Sequence, residues 1–137
     1  MATATVPRQM LDTHPWEGNV DRDVLARCIA ECFECSQACT ACADACLSEE
    51  GMAELRKCIR LDLDCADICG ATGRVLSRQT EYDASTSKAQ LEAGAEACGT
   101  CAEECESHAE HHENCRACAE SCRRCEEACR ELLAAMK

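Results

Sequence analysis

Aromatic side chains are almost absent. The 137-residue chain has one Trp, one Tyr and one Phe. Large aliphatics do not compensate: Leu, Ile, Val and Phe together number 18. At a formal net charge of −12, such a shortage of core material would ordinarily place a chain among the disordered ones. Proline is confined to Pro7 and Pro15, so nothing of that kind interrupts a helix farther on. No run of 18 apolar residues exists, which excludes a membrane-spanning helix. Lys and Arg number 14 against 26 Asp and Glu. That balance argues against nucleic acid or an anionic membrane as partner and is compatible with attracting cations. The opening MATATVPRQMLDTHPWEGN has no apolar stretch led by basic residues, so no secretory signal is expected there. The expected compartment is the cytoplasm, where thiols stay reduced.

What the chain has is cysteine, 17 of them. A content this high in a short secreted chain signals a disulfide scaffold. The odd count and the reducing compartment weaken that reading. Spacing weakens it further. The segment CIAECFECSQACTACADAC (Cys28–Cys46) repeats cysteine at gaps of 3 and 4. The same gaps relate Cys65 and Cys69, then Cys98, Cys101 and Cys105, then Cys115, Cys118, Cys122, Cys125 and Cys129. Cys58 precedes Cys65 by 7, the sum of the two gaps. This is a heptad stripe with Cys in place of Leu. Its period keeps each stripe on one side of a helix. Residues i and i+4 on a helix are about 6 Å apart along the axis, too far for the ~3.8 Å between Cβ atoms that a disulfide wants. Sulfurs so placed can share a ligand; they do not bond each other.

The chain therefore reads as all-α, an antiparallel up-down four-helix bundle with a short N-terminal arm or helix. The arm covers residues 1–19 and the bundle 20–137. Helices are expected at about 20–49, 52–78, 86–111 and 114–136. Asn19 or Asp21 suits the first N-cap, and Ser85 or Thr86 the third. Gly51 breaks the first helix from the second. Gly70 and Gly73 are unfavourable inside a helix by about 1 kcal/mol each, so they mark close helix contact.

Between antiparallel neighbours, paired residue numbers should have a nearly constant sum, and the cysteines satisfy this when turns are placed as above. The layers expected are Cys35, Cys69, Cys98 and Cys129; then Cys39, Cys65, Cys101 and Cys125; then Cys42, Cys105 and Cys122 with Asp62; then Cys46, Cys58 and Cys118 with His108. Leu55, His112, Cys115 and Met52 would close that end as a mouth. Cys28 and Cys32 would lie at the other end with Thr72, Leu76, Leu91 and Leu132, plugged by hydrocarbon.

Thiolates are soft ligands and select Cu(I), Zn(II) or iron–sulfur clusters. Zinc prefers closed tetrahedral sites of four ligands, commonly in CxxC knuckles with turn geometry, and iron–sulfur motifs use loops. Overlapping CxxC and CxxxC units on helices suit Cu(I) best, since it accepts two or three thiolates that can bridge. With every sulfur bridging two ions, capacity comes to roughly 11 to 17 Cu(I) per chain. Such a store would hold neutral thiols when empty and release protons on loading.

The heptad cysteines, the CxxxC pairs 28/32, 35/39, 42/46, 65/69, 101/105, 118/122 and 125/129, and the histidine-bearing end resemble the bacterial copper storage proteins. The likeness covers about residues 20–136. It implies a four-helix bundle storing many Cu(I) ions in its lumen, with His and Met at the entrance, in the cytosolic branch and as a homotetramer. Asp62 departs from an all-cysteine stripe. On this reading all 17 cysteines, His108 and His112 are metal ligands. Asp62, Met52 and Leu55 are entry or modifier residues, and copper ions with a copper donor or acceptor protein are the partners. Two alternatives stand beside it: a zinc or general heavy-metal sequestering protein of metallothionein type, and a thiol redox protein. The second lacks the strand expected before a redox CxxC. No nucleophile–base–orienter set is evident, so no enzyme is expected.

Overall fold

The computed structural model describes residues 2–15, 18 and 20–136. All regular structure among them is helical: α1 (Thr5–Thr13), α2 (Arg22–Leu47), a 3-10 turn (Met52–Leu55), α3 (Arg56–Ser77), α4 (Ala84–Glu106) and α5 (Glu113–Ala135). Helices α2 to α5 form a ring in which α2 packs on α3 and α5, and α4 packs on the same two. Short connections make neighbours antiparallel. The arm holds α1, which packs on α2 and buries Leu11.

The helix ends follow local chemistry. Asp21 caps α2, its carboxylate accepting from the backbone N–H groups of Asp23 and Val24 at 2.7 and 3.2 Å. The alternative cap, Asn19, lies outside the described residues. The α4 cap is Asp83, not Ser85 or Thr86. Its Oδ2 accepts from the N–H and hydroxyl of Thr86 at 2.8 and 2.7 Å, and its negative charge suits a helix N-terminus better than a neutral hydroxyl does. Gly70 and Gly73 of α3 both lie against α2. A Cβ at Gly73 would stand 2.8 Å from the Phe33 ring, and one at Gly70 3.2 Å from Ser36 Oγ. Ser36 in turn donates to the Ala66 carbonyl at 2.8 Å, joining the two helices off the lumen.

Inside the ring, the stripes meet. Leu25, Leu76, Leu91 and Leu132 are buried at one end, beyond Cys28. Thr72 is fully buried beside them; its hydroxyl donates to the Ile68 carbonyl at 2.7 Å and accepts from Gln90 at 2.9 Å. The interior between that hydrocarbon and Leu55 is sulfur, apart from the buried carboxyl of Asp62. This resolves the composition paradox: cysteines, small and apolar as thiols, supply the buried surface that aliphatics do not.

Candidate metal centre

All 17 cysteines are free and buried, including Cys115 beside a turn. Their sulfurs lie in van der Waals contact, not bonded: Cys69 and Cys98 are 3.3 Å apart, Cys39 and Cys122 3.5 Å, Cys35 and Cys65 3.8 Å. Two sulfurs ~4 Å apart are both within reach of one ion at a bond length of about 2.3 Å. Overlapping sets arise as a result. Cys35, Cys65, Cys69 and Cys98 bring their donor atoms within 4.8 Å of one another, as do Cys35, Cys39, Cys65 and Cys122, and Cys39, Cys101, Cys118 and Cys122. Cys35, Cys39, Cys65 and Cys122 each belong to two sets, so the donors form a continuous chain along the axis.

The register of α5 differs from the one expected. Cys122, not Cys129, sits beside Cys35 at 3.7 Å, and Cys125, not Cys129, beside Cys69 at 3.9 Å. Cys118 takes the place expected for Cys122 in the Asp62 layer, 3.4 Å from the carboxylate. Cys129 meets Cys28 at 3.8 Å and Cys125 meets Cys32 at 3.8 Å. Helix α5 has slid toward the hydrocarbon end, by one turn against α3 and up to two against α2. The α4–α5 connection accounts for one of those turns. Helix α4 ends at Glu106, not His111, with the Ser107 N–H returned to the carbonyls of Glu103 and Glu104. Residues 107–111 form the turn. Moving a turn's centre by two residues shifts every antiparallel pairing by four, which is one helical turn.

The same change takes His108 off the stripe. The expected layer of Cys46, Cys58, Cys118 and His108 is replaced by two pairs, Cys46 with Cys115 at 3.8 Å and Cys58 with Cys105 at 3.6 Å. His108 lies in the turn, half-buried, with Nε2 2.8 Å from Glu104. His112 occupies the N-cap position of α5, with Nδ1 3.6 Å from Glu49. Both imidazoles lean on carboxylates at the rim. Met52 is 38% exposed in the 3-10 turn, and Leu55 closes the lumen beneath it at 2%. Sequence reasoning missed Asn114. Its amide donates to the sulfurs of Cys42 and Cys46 at 3.4 and 3.5 Å. It stands one residue off the cysteine stripe, so periodicity gave no signal for it.

Asp62 is wholly buried, with Oδ1 3.1 Å from Cys101, 3.4 Å from Cys118 and 3.5 Å from Cys105. Burial first, then the neighbouring Cys118 sulfur, pushes its carboxyl up to about 9. The thiols divide by hydrogen bonding. Those accepting S–H bonds are drawn down, Cys42 to about 6 chiefly by Cys105 and Cys69 to about 6 chiefly by Cys125. Others are driven well up: Cys98 chiefly through Cys125, Cys115 chiefly through burial. The lumen thiols thus form a proton-sharing network that favours the neutral form overall.

Residues 21–134 match the copper storage protein family. The chain belongs to that family. A copper storage protein from Streptomyces lividans, loaded with 10 copper equivalents, is 57% identical, with a TM-score of 0.93 over 97% of this chain and 99% of that one. Another structure of copper loading to that cytosolic protein, with five coppers, has a TM-score of 0.85 at 61% identity over 88% of this chain and 100% of that one. The Cu(I)-bound copper storage protein BsCsp3 is 36% identical, with a TM-score of 0.69 over 77% of this chain and 94% of that one. The resemblance drawn from heptad cysteines therefore holds at the level of family and fold.

Proposed function

We propose that this chain stores Cu(I) in the cytosol, as many ions bridged by thiolates along the lumen of one bundle. The observation that carries this is the unbroken chain of overlapping sulfur quartets from Cys35 to Cys122. Zn(II) takes four ligands at each ion, so the same shared sulfurs would hold fewer ions of it. Shared sulfurs suit Cu(I), which accepts fewer. The relatives named above are copper-loaded or Cu(I)-bound. All 17 cysteines are the ligand set in this reading, and residues 20–137 are the unit that holds the store. No helix among the described residues is long and apolar enough to cross a membrane. The role is storage, not catalysis, and delivery or withdrawal falls to a copper donor or acceptor protein. Assembly as a homotetramer belongs to the same reading.

The test is competition between metals. Reduced protein given equal Cu(I) and Zn(II) beside chelators for each is expected to fill with copper and retain zinc at one site at most. A chain that fills with zinc would reverse the assignment.

His108 and His112 act at entry. They stand at the rim beside Glu104 and Glu49, where an incoming ion passes before reaching Cys46 and Cys115. Replacing both with Ala is expected to change the rate of Cu(I) uptake several-fold and to lower capacity by about two ions at most. Stopped-flow uptake and end-point stoichiometry separate the two. Unchanged rates would remove the entry role.

A further inference from the structure

Asp62 is out of place in a store built for a soft monovalent ion. It supplies a carboxylate oxygen to a lumen otherwise lined by sulfur, and it is 0% exposed. A buried carboxylate is costly unless a cation pairs with it. Among the described residues none does: its polar partners are the thiols of Cys58, Cys101, Cys105 and Cys118 at 3.1 to 4.0 Å. Thiols are weak donors, so the oxygen is held by little. Carboxylate oxygen is also a poor ligand for Cu(I) and a good one for borderline and harder divalent ions.

The surroundings complete a donor set. Cys42, Cys105 and Cys118 and one Asp62 oxygen lie within 4.8 Å of one another. A tetrahedral zinc ion bound by three sulfurs at about 2.3 Å and one oxygen at about 2.1 Å needs sulfur–oxygen edges of about 3.6 Å. The Cys105 and Cys118 edges to Asp62 already measure 3.5 and 3.4 Å. The four side chains come from four different helices, α2, α3, α4 and α5, so one ion would tie the whole bundle together.

We infer that Cys42, Asp62, Cys105 and Cys118 form a discrete site for one borderline divalent cation of the Zn(II) class, set within the copper-storing lumen. Binding is plain coordination: the three thiols and the Asp62 carboxyl give up whatever protons they carry to water, with no change of oxidation state. The ion would sit next to Asn114, which already holds Cys42, on the mouth side of the sulfur quartets. The site deepens the storage reading without depending on it for its geometry.

Co(II), a spectroscopic substitute for Zn(II), is the probe. Metal-free, reduced full-length protein is titrated anaerobically with Co(II) against a chelator. One equivalent is expected to bind at least tenfold tighter than the rest, with tetrahedral d–d bands and thiolate-to-cobalt absorption of the strength of three thiolates. In Asp62→Ala that tight equivalent is expected to be lost, and in Asp62→Glu partly restored. The inference is overturned by a first equivalent that reads four thiolates, by equivalents of equal affinity, or by a tight equivalent that survives in Asp62→Ala. The thiolate count on the wild-type protein decides the matter even where a variant fails to fold. Cu(I) titration of the same preparation keeps the two readings apart. Many Cu(I) bound with no distinct Co(II) site removes this inference alone. One tight Co(II) with few Cu(I) removes the storage reading alone.

Discussion

Filling the lumen with Cu(I) should raise the melting temperature by more than about 20 °C. The metal-free protein is held by 17 buried thiols, small buried alanines, Ile29, a few leucines and its helix caps, a set with little large aliphatic surface for its length. Each ion that binds only the folded chain stabilises it by about 4 kcal/mol when free ligand exceeds its dissociation constant a thousandfold. For a domain of this size each kcal/mol moves the midpoint by roughly 3 to 5 °C. Thiols of the unfolded chain also bind Cu(I), which reduces the gain. Several ions bridging four helices still leave a large surplus, since the unfolded chain cannot present quartets from separate segments. Calorimetry of reduced samples, empty and loaded, measures the shift. Equal midpoints would mean that copper binds without joining the helices.

The second large effect concerns a block placed at mid-lumen. Cys39 touches Cys35 of its own helix, Cys101 of α4, and Cys118 and Cys122 of α5, at 3.5 to 4.0 Å. Hydrocarbon closes the Cys28 end, so copper must pass this level to reach Cys28, Cys32, Cys125 and Cys129. Cys39→Leu combined with Cys122→Leu puts two bulky side chains across that path, with an overpacking cost of about 1 to 3 kcal/mol each. Capacity is expected to fall by about half, well beyond the loss of two bridging sulfurs. The double Ser variant is the control, and it should lose only about two to three ions. Stoichiometry by chelator competition distinguishes them. A Leu variant that loses no more than the Ser variant would show that ions enter from both ends or through the walls.

Much of this architecture is legible in the sequence because cysteine is so poor a substitute for Leu unless sulfur is needed. A gap pattern of 3 and 4 specifies both the helix and its inward face, and the pairing of α2, α3 and α4 follows from short turns. The position of Asp62 among Cys105 and Cys42 was readable for the same reason. The α5 register was not. It depends on where α4 stops, and the stretch Ser107–His112 carries no Gly or Pro to mark the end. A helix continuing through His108 and His112 keeps the stripe intact on paper. In the structure the chain turns after Glu106, and both histidines go to the rim. Asn114 was hidden because its contacts with Cys42 and Cys46 arise only once that turn is made. The α4 cap was misplaced by two or three residues, since Asp83, Ser85 and Thr86 are all good caps and only geometry chooses.

The central claim is that the buried sulfurs form one shared reservoir for Cu(I). Its most direct measurement is the number of Cu(I) ions held per chain by reduced, metal-free protein against a strong Cu(I) chelator under anaerobic conditions. The bridging arrangement predicts more than ten, within roughly 11 to 17. Saturation at four or fewer, the number that separate quartets would hold, would contradict it.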